Sequence, residues 1–175
     1  MASWNSKRKE FERWRTWSKR RWVAWAWRQS RKLLTESMTP AAIRDLHIML
    51  QREVIERICA APGSDAYGRL TVMLAPWVET EHLFDVGPGA FRPPPKVWSA
   101  VARLTVRETP AFEIGPLYGK VVAAAFSQRR KTLRNALRAL LDAPTITACD
   151  IDPGARPETL SPAQFARLAA AAGTG

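Results

Sequence analysis

Cysteine and histidine are scarce in this sequence, and each shortage excludes a class of protein. The two cysteines, Cys59 and Cys149, lie ninety residues apart with no further Cys or His at metal-ligand spacing, which excludes zinc-finger and disulfide-framework architectures. We expect both thiols to be reduced, as in a cytoplasmic protein. The two histidines, His47 and His82, have no partner at nucleophile or metal spacing. We interpret them as sheet residues and predict no metal site.

Long apolar runs are missing as well. No stretch approaches the roughly 18 apolar residues that cross a bilayer, and the first residues lack the continuous apolar core of a signal peptide. We therefore predict no membrane partner and a cytoplasmic location. A chain of 175 residues with 46% hydrophobic content suits one domain with an appendage.

Acidic residues are fewer than basic ones, and the resulting positive excess lies mainly at the N-terminal end of the chain. The formal net charge is +11, and residues 1–32 hold eleven Lys or Arg against two Glu. Six of the eight tryptophans also lie within residues 1–34. Such a mixture could stack on single-stranded bases or lie in a membrane interface. We favour a third interpretation, in which residues 1–34 are disordered, or foreign to the protein through a frameshift or a mis-started translation.

Apolar periodicity predicts an α/β section followed by helices. The pattern indicates a buried strand of the parallel type at 45–50, helices at 51–60 and 70–77, and strands at 80–86 and 97–104. Beyond residue 110 it indicates helices at 116–126, 131–141 and 162–172. The last helix begins with a capping box, Ser161-Pro162-Ala163-Gln164.

A proline-rich loop precedes the strand at 97–104. Three consecutive prolines, Pro93, Pro94 and Pro95, fix the backbone and supply no N–H donors, so the loop is stiff and extended. It holds Phe91 at the end of a strand, as in the lip of a binding site. The alternative is that Phe91 is a core residue and that the prolines only end an edge strand.

A basic segment follows later in the chain. It carries Arg129, Arg130, Lys131, Arg134 and Arg138, with no acid between Gln128 and Leu141. A face of this kind binds nucleic acid with salt-sensitive affinity, because each neutralised phosphate releases counterions. The alternative is a solvated helix face, although such faces usually carry acids one turn away.

Five stretches between residues 41 and 170 resemble, in order, segments of the ribosomal RNA adenine N6-dimethyltransferase family. They are Met49-Leu50-Gln51-Arg52-Glu53-Val54, Ala66-Tyr67-Gly68-Arg69-Leu70, residues 91–104, residues 127–135 and residues 151–161. The resemblance implies the C-terminal part of a Rossmann-like, S-adenosylmethionine-dependent methyltransferase sheet, closed by an antiparallel hairpin. The closing strands and helices would occupy residues 35–110, and a small all-helical domain that binds rRNA would occupy residues 111–175.

The same resemblance implies a function. The family transfers methyl groups from S-adenosylmethionine to the N6 atoms of two adjacent adenines near the 3′ end of 16S rRNA, in the precursor of the small ribosomal subunit. By resemblance Phe91 stacks on the extruded adenine, and Pro93, Pro94 and Pro95 hold it in place. The residues implied to contact RNA are Arg92, Lys96, Arg129, Arg130, Lys131, Arg134 and Asn135. We expect a monomer.

Two family motifs have no counterpart in the sequence. There is no Gly-x-Gly-x-Gly loop for the cofactor and no Asn-Leu-Pro-Tyr motif. We therefore expect a truncated member of the family that binds S-adenosylmethionine poorly and is inactive alone. Two alternatives remain open: a non-catalytic RNA-binding or ribosome-assembly module, and an unfolded truncation product whose half-sheet exposes an unpaired edge.

Overall fold

Three strands with alternating apolar residues form the only sheet within the part of the chain that the structure describes. A computed structural model describes residues 44–128 and 130–173. In it β1 (Asp45–Gln51), β2 (Val78–Val86) and β3 (Ser99–Val106) pair in the order β1-β3-β2, with both pairs antiparallel. The prediction that residues 45–50 form a parallel strand is wrong for these residues, because β3 returns from its hairpin with β2 to lie beside β1.

The two faces of the sheet differ. On one face Ala100, Ala102 and Leu104 of β3 are buried beneath helical residues. On the other face Met49 and Phe84 both lie opposite Val101, and their side chains are 52% and 56% exposed. β1 is therefore half-buried, not buried as predicted.

A bulge changes the predicted alternation of β2. The sequence pattern places Phe84 on the same face as Thr80 and His82. The register with β3 shifts between His82 and Phe84, and the extra residue turns Phe84 to the opposite face. The regular alternation predicted for residues 80–86 is wrong from Phe84 onwards.

Six α-helices are present in the described residues. They are α1 (Arg52–Ile58), α2 (Arg69–Leu74), α3 (Tyr118–Ala125), α4 (Leu133–Ala136), α5 (Ala143–Ala148) and α6 (Pro162–Ala172), with 3-10 turns at Pro88–Ala90 and Pro157–Thr159. None of these helices is long and apolar enough to cross a membrane.

Two helical predictions need correction. The helix predicted at 131–141 is shorter, since α4 ends at Ala136 and the chain continues in turns. Helix α5 was not predicted. It is capped by Asp142, whose Oδ1 atom accepts a hydrogen bond of 2.9 Å from the N–H of Thr145. The leucine pattern before it was assigned to the helix predicted at 131–141, and the short polar sequence that begins α5 was not recognised as a helix start.

The buried residues form two clusters. One lies between the sheet and α1 and includes Ile55 and Ile58. The other lies among the later helices and is centred on the fully buried Phe165, Leu133 and Leu137. Helix α2 contributes to both clusters: Leu70 and Leu74 pack on the first and Val72 is buried in the second. The described residues accordingly fall within one compact unit.

Buried tyrosines connect α2 and the segment before it to the helical cluster. The hydroxyl of Tyr67 donates to the carbonyl oxygen of Leu160 at 2.7 Å. The hydroxyl of Tyr118 donates to the carbonyl oxygen of Val72 at 2.8 Å. Tyr67 was a weak signal in the sequence. Its contact joins two of the stretches that resemble the family.

Candidate nucleic-acid interface

The proline-rich loop, residues 87–98, lies at the end of the sheet where β1 and β2 both end. Ser99 pairs with both Gln51 and Val86, so the loop starts and finishes beside the end of β1. It opens with the 3-10 turn Pro88–Ala90, in which the N–H of Ala90 donates to Gly87 O at 3.1 Å and the N–H of Phe91 donates to Pro88 O at 3.2 Å. Phe91 is half-buried and belongs to neither buried cluster of the described residues.

The rest of the loop is largely open to solvent. Arg92, Pro93, Pro94 and Lys96 are exposed, and Pro95 is half-buried. The peptide between Arg92 and Pro93 is cis. Both loop cations therefore extend into solvent on either side of the prolines.

Arg52 ties the base of the loop to the first helix. Its backbone N–H donates to Trp98 O at 2.9 Å, and its Nη1 atom lies 3.6 Å from Oδ2 of Asp85, just before the loop. Its Nε atom donates to Oε1 of Glu56 at 2.7 Å. The hydrogen bond that Arg52 donates to Glu56 and the negative charge of Asp85 raise the pKa of the Arg52 guanidinium. The sequence did not indicate Asp85 as a partner of Arg52.

Asp85 has a second partner in His82. The His82 Nε2 atom lies 2.9 Å from Oδ1 of Asp85. His47 is exposed and lies opposite Arg103 on β3. No group of His, Cys, Asp or Glu able to hold a metal ion occurs among residues 44–128 and 130–173.

The basic segment is anchored on the helical cluster. The N–H of Leu133 donates to Ala155 O at 2.9 Å, and the N–H of Arg134 donates to Pro153 O at 3.0 Å. Leu133 and Leu137 are buried, so the residues between them turn outward. Arg130, Arg134 and Asn135 are exposed and Lys131 is half-buried. Arg129 lies outside the described residues.

The cations of the loop and of the basic segment differ from those on the sheet. In the described part of the chain no acid pairs with Arg92, Lys96, Arg130, Lys131 or Arg134, whereas Arg57, Arg103 and Arg107 each face a carboxylate. No hydrogen bond or ion pair joins the loop to the basic segment within the same residues. These cations form two positive surfaces, which we call the loop set (Arg92 and Lys96) and the helical set (Arg130, Lys131 and Arg134).

A family model described as Ribosomal RNA adenine dimethylase matches residues 28–172. The chain belongs to this family. Two of its relatives, both named Ribosomal RNA small subunit methyltransferase A, come from Pseudomonas aeruginosa and Methylococcus capsulatus and are 54% and 53% identical to it. The matches cover 73% and 72% of this chain but only 48% and 49% of those relatives. The chain thus spans about half the length of the curated relatives it matches.

Solved structures show the same fold. This dimethylase-family chain superposes on a dimethyladenosine transferase from Plasmodium falciparum with a TM-score of 0.66 and 22% identity, covering 78% of this chain and 58% of that one. It superposes on the 23S rRNA methyltransferase ErmE with a TM-score of 0.56 and 27% identity, covering 74% of this chain and 55% of that one. The prediction of an α/β fold of the rRNA dimethyltransferase type is confirmed at this level.

Proposed function

We propose that this chain acts in the N6,N6-dimethylation of two adjacent adenines near the 3′ end of 16S rRNA, with S-adenosylmethionine as the methyl donor. The names of its relatives support the substrate class, since they describe methyltransferases of small-subunit rRNA. It would work as a monomer in the cytoplasm on a precursor of the small subunit. The observation that carries this proposal is a half-buried Phe91 held beside unpaired cations at the strand ends of a dimethylase fold.

The loop would receive the target base. Adenine must leave its stack to reach a methyl donor, and an aromatic ring that stacks on it contributes on the order of 1–3 kcal/mol. Phe91 is partly accessible and its backbone N–H is fixed by Pro88 O. Arg92 and Lys96 would contact the phosphates that flank the extruded nucleotide. The three prolines limit the motion of all three residues.

The helical set would hold the surrounding RNA. Arg130 and Arg134 are exposed and, among the described residues, have no acid to neutralise them. Phosphates can therefore take the place of counterions without first breaking an ion pair. We propose the division that the sequence suggested, with closing strands in residues 35–110 and an rRNA-binding helical domain in residues 111–175. Residues after 110 supply most of the second buried cluster, to which Tyr67 and Val72 also contribute.

The described residues do not fit S-adenosylmethionine. β1 passes into α1 through Gln51 and Arg52, with no glycine to let the backbone approach a ligand closely. No Gly-x-Gly-x-Gly sequence occurs in the chain. We assign no cofactor contact to these residues. Their part in the reaction is to bind the RNA and to hold the base.

Retention of RNA tests this proposal. The full chain should bind a labelled RNA that carries the 3′ end of 16S rRNA. Arg130→Glu with Arg134→Glu should abolish retention at low salt, because two unpaired cations become anions, while circular dichroism stays unchanged. The control is Arg57→Glu with Arg107→Glu, which changes net charge equally at cations that already face carboxylates. Equal retention by both double variants would refute the RNA-binding face.

A second candidate is a non-catalytic RNA-binding or ribosome-assembly module. The poor fit of the described residues to S-adenosylmethionine favours it. Titration of the full chain with S-adenosylmethionine in a calorimeter, with and without RNA, separates the two. Heat of cofactor binding supports the methyltransferase, whereas RNA binding without any cofactor heat supports the module.

A further inference from the structure

Trp98 has no part in the function proposed above, yet its ring is held in an unusual position at the end of the loop. A Cβ atom placed on Gly87 would lie 3.5, 3.6 and 3.9 Å from the Cη2, Cζ3 and Cζ2 atoms of Trp98. These three adjacent ring atoms are nearly equidistant from that point. If Gly87 lay in the plane of the ring, the two atoms on either side of Cη2 would be clearly further from that point than Cη2 is. Gly87 therefore lies over the face of the six-membered ring.

The remainder of this ring is open. Trp98 is 52% exposed although one face covers Gly87. Its backbone is fixed, because Trp98 O accepts the N–H of Arg52 at 2.9 Å. A planar aromatic side chain with one face on the backbone and another in solvent is a preformed stacking surface, since little rotamer freedom is left to lose on binding.

The surroundings of the ring favour an anionic ligand. Residues 86–107 contain no acid, and the loop carries the unpaired cations Arg92 and Lys96, both of them exposed. The preceding acid, Asp85, is already neutralised by Arg52 at 3.6 Å and faces His82 at 2.9 Å. Aromatic rings among unpaired cations are the combination that binds single-stranded nucleic acid, because every base has a face that can stack.

Trp98 is also tied to Phe91 through one turn. Gly87 lies beside the Trp98 ring, and Gly87 O accepts the N–H of Ala90, the residue before Phe91. We propose that the open face of Trp98 stacks on a second nucleobase of the same single-stranded RNA whose target base Phe91 receives. This inference rests on the proposed function and adds a base-binding residue to it.

Fluorine NMR of the full chain labelled with 5-fluorotryptophan reads this site directly. The Trp98→Phe variant identifies the Trp98 resonance, and Trp77→Phe identifies that of Trp77. Trp77 is similarly exposed, at 49%, and lies at the opposite end of the sheet, where its carbonyl accepts the N–H of Arg107. Titration with a single-stranded RNA of the 16S 3′-end sequence should shift the Trp98 resonance and leave that of Trp77 in place. An unmoved Trp98 resonance at saturating RNA overturns the inference.

Binding affinity supplies the second measurement. Trp98→Ala should weaken binding of this RNA by about 5- to 150-fold, the range expected for one stacked base. Trp98→Phe should retain most of the affinity, and Trp77→Ala should bind as the unchanged protein does. If Trp98→Ala binds normally while Phe91→Ala and the Arg130→Glu, Arg134→Glu variant bind weakly, the Trp98 inference fails and the proposed function stands. If none of these variants is weakened, both the Trp98 inference and the proposed function fail.

Discussion

Two buried tyrosines show how a single side chain can make the stability of this protein depend on pH. Tyr67 and Tyr118 are the only tyrosines of the chain, and each donates its hydroxyl to a backbone carbonyl in the helical cluster. Burial raises the pKa of both Tyr67 and Tyr118, and for Tyr118 the proximity of Tyr67 adds to the effect. The folded protein therefore binds phenolic protons more tightly than the unfolded chain.

This difference predicts alkaline unfolding. Below a pH of about 10, the ordinary pKa of tyrosine, the contribution of both groups to stability is fully present. It is lost as the pH rises above that value, by up to about 1.4 kcal/mol per pH unit for each group, because only the unfolded chain releases the protons. Urea unfolding at a series of alkaline pH values measures the loss, and tyrosinate absorbance should appear together with unfolding.

The control for this effect is the variant Tyr67→Phe with Tyr118→Phe. It should be less stable at neutral pH, because two buried carbonyls lose their donors at about 1–3 kcal/mol each. Its stability should nevertheless depend less on pH above about 10. Tyrosinate that forms in the folded protein at its ordinary pKa would contradict the account.

Among the elements, α6 was the best predicted from sequence. Ser161-Pro162-Ala163-Gln164 indicated its first turn, and the helix Pro162–Ala172 has the predicted bounds. The Ser161 hydroxyl accepts the N–H of Gln164 at 3.4 Å, and Gln164 Oε1 accepts the N–H of Ser161 at 2.8 Å. This cap depends on four neighbouring residues only, so the sequence contains all the information it needs.

Removal of the capping box at the start of α6 should lower the free energy of unfolding only modestly. Ser161→Ala leaves the N–H of Gln164 without its side-chain acceptor and should lower the free energy of unfolding by about 1 kcal/mol. Ser127→Ala is the matched control, because its hydroxyl bonds only to the carbonyl of Ala124 within an exposed turn. Urea unfolding at neutral pH compares them. An equal loss in both variants would mean that the capping box does not stabilise α6.

Other elements could not be predicted because they depend on distant partners. The β2 bulge needs β3 as its reference, and the antiparallel position of β1 depends on where the β2–β3 hairpin returns. α4 ends at Ala136 although its leucine pattern continues to Leu141. Its start is fixed by the carbonyls of Pro153 and Ala155, which are distant in sequence. Phe91 and the cations were candidates from the sequence alone, but the position of the Trp98 ring beside Gly87 required the folded loop.

At the scale of the whole molecule, unpaired positive charge occurs in two places. The loop set lies on the connection between β2 and β3, and the helical set lies on the segment anchored to residues 153–155. The sequence has no acid between Glu113 and Asp142, so the helical set keeps its charge. Two cationic surfaces on one compact unit can both contact the same RNA molecule.

Salt dependence of RNA affinity tells whether both surfaces bind the same RNA molecule. Each phosphate contact to a single strand contributes about 0.7 to the slope of log affinity against log salt. Arg130→Gln with Arg134→Gln should therefore lower the slope by about 1.4, and Arg92→Gln with Lys96→Gln should lower it by a similar amount. The variant with all four changes should lower the slope by the sum of the two decreases, because the two surfaces share no partner.

Arg57→Gln with Arg107→Gln, which alters cations already facing acids, should leave the slope unchanged. If the fourfold variant loses no more than either pair alone, the loop set and the helical set do not engage one RNA together, and the loop cannot present a base from the strand that the helices hold.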